Sequence, residues 1–306
     1  MAKTQVQEYR VSKYALSFRE NFGKANIYEQ NALSVLNKAT GFISAYDFTL
    51  NPYRGCQYGC SYCYAAAFSP NSQMRNNWGN WVIIKKNAAE IIKKELEIWY
   101  KKNPDMSPSI YMSSVTDPYQ PIESKEQITR QLLEIMLDYQ PTLVIQTRSP
   151  MIVRDIDILQ NYKKLRINMS IPTGSEKVRK DFEPKSPSIS ARLKAIGNLR
   201  YSFPYQKNCE VKFSVTITPL LPTLPEDEAN FIGKLEVVDR IVIQDFHASN
   251  LRSLVASTRS EALSLKHKYA WWYNRENESY RNFKNKLIAM LPSVEIMEGK
   301  EGFGYE

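Results

Sequence analysis

Three cysteines, Cys56, Cys60 and Cys63, fall within eight residues at the spacing C-x3-C-x2-C, and any fold this chain adopts must hold that loop with its sulfurs inward. A short loop so spaced can turn three thiolates toward one point, which suits a cubane iron–sulfur cluster ligated by cysteine. Three sulfurs leave the fourth iron bare. An open coordination position is where a substrate or cofactor binds, as it is at a catalytic zinc. The competing reading is a zinc knuckle completed by a remote ligand, or three thiols that are neighbours by accident. Zinc sites show paired C-x2-C hooks or a C…H complement. Here the remaining donors of those types are His247, His267 and Cys209, all distant in sequence, and this inventory favours iron.

The 306 residues, 43% of them hydrophobic with 11 glycines, suit an ordinary globular protein of one large domain or two small ones. No apolar run approaches a membrane span and the opening MAKTQVQEYR is too polar for a signal peptide, so a cytoplasmic protein without membrane contact is expected. In a reducing compartment clustered thiols signify metal or redox chemistry rather than disulfides. The net charge of +9, from 41 basic and 32 acidic residues, is spread without a Lys/Arg block. It is compatible with nucleic acid, with an acidic peptide or protein, or with a plain basic surface.

Patterning predicts strand alternating with helix. A strand at 48–53 delivers the cysteine loop, and 65–80, with Pro70, Asn71 and Gly79, reads as a surface segment before a strand at 81–84. Asn87 with Glu90, and Ser124 with Gln127, are spaced as capping boxes. The first precedes Ile91, Ile92, Leu96 and Trp99 at helical spacing, the second Ile128, Leu132, Ile135, Met136 and Tyr139. Further strands are predicted at 109–114, 142–146, 167–171, 211–218 and 240–246, and helices at 155–165, 188–201 and 226–235. This alternation argues for parallel βα units, about six of them against the eight of a closed barrel. Residues 1–45 form an N-terminal arm packed on the body, 46–249 the barrel, and 250–306 a C-terminal helical extension centred on 261–291. Its Tyr269, Trp271, Trp272, Tyr273 and Tyr280 are expected to pack on the barrel rather than to stack bases.

The aromatic Tyr62 just before the last cysteine completes C-x3-C-x-aromatic-C, which resembles the radical S-adenosylmethionine (SAM) superfamily. Asn-Pro-Tyr-Arg-Gly-Cys ahead of the loop and Tyr-Cys-Tyr-Ala closing it are similar to the group related to spore photoproduct lyase. WVIIKKNAAEIIKKEL from Trp81, TDPYQPIE from Thr116, QTRS from Gln146 and EPKSPSISAR from Glu183 resemble that group's motifs in the same order, over most of 46–225. The resemblance implies an α/β fold, a partial (β/α)6 TIM-like barrel open toward a large substrate. It also implies a [4Fe-4S] cluster on Cys56, Cys60 and Cys63, with SAM chelating the fourth iron.

The resemblance further places cofactor contacts at strand ends, alongside Tyr62. Ser113, Ser114, Thr116 and Asp117 suit the ammonium of SAM, the alternative for Asp117-Pro118 being a plain turn. Arg148, where relatives carry lysine, offers the carboxylate a planar fork instead of a point charge. Ser170 lies toward the ribose, and Thr218 toward the adenine. Arg192 either reaches the carboxylate or pairs with Glu183. Tyr119, Gln120, Gln244 and His247 are candidates to face substrate.

One departure from the group decides the substrate reading. Spore photoproduct lyase returns hydrogen from a cysteine at the end of the second strand, and aligning Asp117 puts Ser114 there. A serine O–H bond is too strong for that role, and Cys209 is expected at the far face. A ribosomally made precursor peptide or protein, cleaved, spliced or rearranged with or without a small partner protein, therefore ranks first. A nucleic-acid lesion lyase ranks second, and a non-catalytic metal-binding nucleic-acid module third. An enzyme of this kind takes its electron from an external flavodoxin- or ferredoxin-type donor.

Overall fold

The computed structural model describes residues 16–203, 210–246, 259–273 and 278–306. In chain order these form β1 (Ser17–Phe22), β2 (Ala25–Gln30), β3 (Leu36–Lys38), β4 (Phe48–Leu50), β5 (Tyr53–Arg54), α1 (Ser72–Asn76), β6 (Trp81–Lys85) and α2 (Ala88–Lys102). There follow β7 (Ser109–Met112), α3 (Glu123–Glu126), α4 (Ile128–Leu137), β8 (Thr142–Thr147), α5 (Ile156–Leu159), β9 (Lys164–Ser170), α6 (Glu176–Phe182) and α7 (Ile189–Ser202). The last are β10 (Glu210–Ile217), α8 (Pro225–Gly233), β11 (Arg240–Ile243), α9 (Ser260–Lys268), α10 (Ala270–Tyr273), α11 (Glu278–Met290) and β12 (Glu295–Glu298).

The main sheet runs β12-β11-β10-β9-β8-β7-β4-β3. Every pairing from β4 to β12 is parallel, and β3 adds an antiparallel edge. Since β3 and β12 are both edges, the barrel stays open. The six expected parallel strands are β4 and β7 to β11. β12 is a seventh, drawn from the segment expected to be a helical extension, so that segment also builds sheet.

Side chains alternate across a strand, and here the alternation sorts them by chemistry. Leu143, Ile145, Leu165, Ile167, Val215 and Ile217 are buried in one core with the helices. Tyr111, Gln146, Asn168 and Thr216 lie on the other, concave face, where Tyr111 OH donates to Gln146 Oε1 at 2.9 Å and Gln146 Nε2 to Thr216 Oγ1 at 2.8 Å. The N-terminal end of this concavity is covered by residues 301–306. Tyr46 OH donates to Phe303 O at 2.6 Å, and Arg166 donates to Tyr305 O at 2.9 Å and Ser214 Oγ at 2.6 Å. The opposite, C-terminal strand ends are the end at which such barrels carry chemistry.

A second sheet, β1-β2-β6-β5, flanks the cysteine loop, so Trp81–Lys85 pairs with the N-terminal hairpin and not with the barrel. Segment 65–80 is exposed at 70–73 and 75–77, as expected of a surface segment, while Ala65, Ala66, Met74 and Trp78 anchor it against the cysteines and Tyr62. Both expected capping boxes are absent. Asn87 makes no cap, because its amide pairs with Ala32, accepting from the N–H at 2.7 Å and donating to the carbonyl at 3.0 Å. Gln127 is left-handed at φ +52°, and the Glu123 carboxylate takes the cap of α4 from Thr129 N at 2.9 Å and Arg130 N at 3.3 Å. Of the helix expected at 155–165, only α5 is α-helical; a 3-10 turn (Pro150–Asp155) precedes it and Leu165 lies in β9. In the C-terminal segment Tyr269 and Trp272 are buried and Trp271 is 47% exposed. Among the described residues no helix is long and apolar enough to cross a membrane.

Candidate functional site

The cysteine loop leaves β5 through Gly55 at φ +83°, where a Cβ would sit 2.6 Å from the Trp81 ring. Gly59 at φ +59° and Gly79 at φ +94° meet backbone to backbone, and a Cβ on Gly59 would lie 2.8 Å from the Gly79 Cα. Only glycine combines that conformation with that approach. The segment after β7 then braces the loop. Gln120 Oε1 accepts from Gln57 N at 2.9 Å, and Gln57 Oε1 from Ile122 N at 2.7 Å. Thr116 Oγ1 donates to Gly55 O at 2.6 Å, and Tyr58 OH to Tyr119 O at 3.0 Å.

This corrects two expectations. Tyr119 and Gln120 are both 0% exposed and lie behind the loop, so they support it instead of facing substrate. The Thr116 hydroxyl is likewise engaged within the protein.

Cys56 and Cys60 are buried and Cys63 half-buried. Burial raises all three thiols, Cys60 to about 12 even though Arg148 opposes the shift. Among the described residues no three His, Cys, Asp or Glu side chains converge as the ligands of a single ion would.

Glu183 is the hub behind these thiols. Its Oε1 accepts from Tyr62 OH and Arg148 Nη1, and its Oε2 accepts from Arg192 Nη2 at 2.5 Å. Burial alone would raise this carboxyl, but Arg148 and Arg192 outweigh it and hold the pKa below the usual carboxylate value. Arg148 Nη1 also lies 2.9 Å from Cys60 Sγ, which places this cation against a cluster ligand. Arg192 gives its other donors to Pro187 O and to Ser170 O at 3.0 Å. It stands one layer back, orienting Glu183 and the end of β9.

At the end of β7, Asp117 Oδ1 accepts from Tyr119 N at 3.0 Å and Thr147 Oγ1 at 2.7 Å, and Oδ2 accepts from Arg148 N at 2.9 Å. The carboxylate thus forms the turn and also ties β7 to β8. Ser114 Oγ lies 2.9 Å from Thr49 Oγ1, and its carbonyl accepts from Tyr64 OH. Ser113 differs: at φ +75° and 3% exposed, its hydroxyl has no partner among the described residues. A buried hydroxyl left without a partner is what a bound polar cofactor would satisfy.

Ser170 is buried at the end of β9, and Thr218 follows β10 just before the cis peptide to Pro219. The Gln244 backbone pairs with Ile217 O at 3.2 Å and Leu220 N at 2.7 Å, and its side chain is half-buried. His247 and Cys209 lie outside the described residues. Asn168 was missed from the sequence: it is buried on the concave face, and neither Nδ2 nor Oδ1 has a hydrogen bond of ordinary geometry. Its signal was available, a carboxamide between Ile167 and Met169 on the face of β9 that also carries Arg166 and Ser170.

Residues 50–235 match the model of the radical SAM superfamily. The chain belongs to that superfamily. Radical SAM proteins use a [4Fe-4S] cluster and SAM, and the thiols, the nearby guanidinium and the unpartnered Ser113 hydroxyl fit both groups. An uncharacterised protein of Methanocaldococcus jannaschii is 34% identical over 181 residues, 59% of this chain and 63% of that protein. An uncharacterised protein of Acidianus two-tailed virus is 29% identical over 184 residues, 57% of this chain and 56% of that one. The chain thus spans about three-fifths of the length of these relatives. Spore photoproduct lyase complexed with dinucleoside spore photoproduct superposes with a TM-score of 0.59 at 14% identity, covering 88% of this chain and 81% of the lyase. At that identity the likeness shows a shared fold, the partial barrel of radical SAM proteins.

Proposed function

We propose that this radical SAM protein is an enzyme that abstracts hydrogen from a large substrate, and that the substrate is a ribosomally made precursor peptide or protein. When bound, the cluster and SAM supply a 5′-deoxyadenosyl radical after one-electron reduction of the sulfonium. The chain's residues hold and orient. Cys56, Cys60 and Cys63 ligate iron, Ser113 and Asp117 receive the ammonium end, and Arg148 is the cation for the carboxylate. Ser170 and Thr218 line the nucleoside side. Thr116, Arg192 and Glu183 act through the groups they position, and Tyr62 joins Glu183 to the loop.

One feature carries the peptide reading. Ser114, just after β7 and bonded to Thr49, is the residue that alignment of the motif on Asp117 sets against the hydrogen-donating cysteine of the lyase group. Without a thiol there, a substrate radical fragments or rearranges instead of being re-hydrogenated from that position, as backbone cleavage or splicing requires. The buried Asn168 amide, which interacts with Tyr111 but makes no hydrogen bond of ordinary geometry, adds a donor and an acceptor suited to a peptide group on the concave face.

A nucleic-acid lesion lyase is the second reading; the fold shared with spore photoproduct lyase favours it, and it needs a hydrogen donor other than Ser114. The test is anaerobic reconstitution, reduction with dithionite and chromatography for 5′-deoxyadenosine, followed by mass spectrometry of a peptide co-expressed from a neighbouring gene. A changed peptide mass supports the proposal. Repair of a dinucleoside lesion with the peptide untouched supports the second reading, and no 5′-deoxyadenosine at all leaves a binding module.

A further inference from the structure

A groove of about 550 Å³ opens beside the cysteine loop, walled by Tyr58, Pro150, Met151, Ser186 and Pro187. The loops that follow β8 and α6 form most of it. Ser186 is buried, and its Oγ lies 3.9 Å from Cys60 Sγ, so a single side chain separates the groove from a cluster ligand. The wall is rigidly held. Arg179 Nη1 donates to Ser186 O at 2.8 Å and Glu183 O at 3.1 Å, and Arg192 Nη2 donates to Pro187 O at 2.9 Å.

Among the described residues the rim is basic without matching acids. Lys185 is exposed, and its ammonium donates to the neutral oxygens Gly79 O at 2.8 Å and Asn80 Oδ1 at 2.6 Å. Lys24 is exposed and close enough to add to the burial that lowers the Lys185 pKa. From Phe48 to Ala89, the stretch that carries all three cysteines, the sequence contains no Asp or Glu. At the far end of the groove, by contrast, Glu20 is matched by Lys125 at 2.6 Å and Glu126 by Arg19 at 2.8 Å. The uncompensated charge on the side nearest Cys60 is positive.

We propose that this groove docks a small acidic one-electron carrier protein of the flavodoxin or ferredoxin type. The inference rests on the reading that Cys60 ligates a reducible cluster. Carboxylates on the carrier would meet Lys24 and Lys185, and the apolar floor would seat the edge of its redox group over Ser186. The carrier is oxidised by one electron, the cluster is reduced by one, and no proton or atom moves. Complementary charge of this kind acts mainly on the association rate and is screened by salt.

The test uses a flavodoxin and a [4Fe-4S] ferredoxin, both acidic, titrated by calorimetry into the full chain with and without its cluster. Lys24→Glu/Lys185→Glu should weaken binding at least tenfold at low salt, and the wild-type affinity should fall steeply as salt rises. Dithionite-driven 5′-deoxyadenosine formation should stay unchanged in the same variant. Lys24→Glu alone, on an exposed hairpin turn, guards against disturbance of the Lys185 contacts and should show part of the loss. Equal affinity in wild type and double variant for both carriers overturns the proposal, as does wild-type binding indifferent to salt. Wild type that makes no 5′-deoxyadenosine with dithionite refutes the cluster reading instead, and the two failures are thereby distinct.

Discussion

The Glu183 carboxylate and the Arg192 guanidinium meet at 2.5 Å, and neither side chain has any solvent exposure. A buried pair of this kind is weak evidence for stability by itself, yet removing one partner strands a charge at about 3–5 kcal/mol. Glu183→Ala should therefore lower unfolding free energy by about that amount in the cluster-free protein, measured in urea, and Arg192→Leu added to it should recover part of the loss. A double variant no better than Glu183→Ala would contradict the pairing.

Ser113 separates stability from binding. Its buried hydroxyl is unpartnered, so Ser113→Ala should leave the melting temperature of the cofactor-free protein unchanged or slightly higher. Affinity for SAM, measured by equilibrium dialysis on the reconstituted enzyme, should fall about tenfold if that hydroxyl receives the cofactor, the value of a hydrogen bond to a charged group. Unchanged SAM affinity would remove Ser113 from the site.

Gly59 lies against Gly79 in a left-handed turn between the cysteines. Gly59→Ala adds both a backbone penalty of about 1–3 kcal/mol and a clash, and it should show up as poor iron incorporation as well as a lower melting temperature. Ala at Gly233, where the added methyl meets nothing within 4 Å, is the control and should be nearly silent.

The three loop cysteines should differ sharply from the fourth. Each of Cys56→Ala, Cys60→Ala and Cys63→Ala should lose most bound iron and sulfide and all 5′-deoxyadenosine formation, whereas Cys209→Ala should keep both. Iron analysis and electron paramagnetic resonance of the reduced protein read this directly. Full iron content in any of the three loop variants would remove that residue from the ligand set.

Lys85 sets a pH dependence. Its ammonium donates to Asn51 O at 2.7 Å, and burial lowers its pKa from the usual 10.5 to about 8. The folded state therefore releases this proton before the unfolded chain does. Between these two values the unfolded chain binds more protons, so this residue's contribution to stability rises with pH through that window and is flat below it. Urea unfolding at pH 7, 9 and 10 should show that rise in wild type relative to Lys85→Met, and parallel curves would refute it.

Contiguous residues determine what contiguous residues can settle. The cysteine spacing, the aromatic before Cys63 and the apolar runs of β8 to β11 are all read within a few positions, because each depends on local spacing or backbone periodicity. The radical SAM assignment and the open parallel barrel follow from those. Only the tertiary structure decided that Glu183 would gather Tyr62, Arg148 and Arg192 from three separate segments, that Tyr119 and Gln120 would brace the loop from behind, and that β12 would extend the sheet. It also drew Asn87 away to Ala32 and let Glu123 take the cap of α4. The reason is common to all of these. A polar group pairs with whichever partner lies nearest in the folded molecule, and strand register and helix packing, which bring distant positions together, leave no periodic trace in the chain.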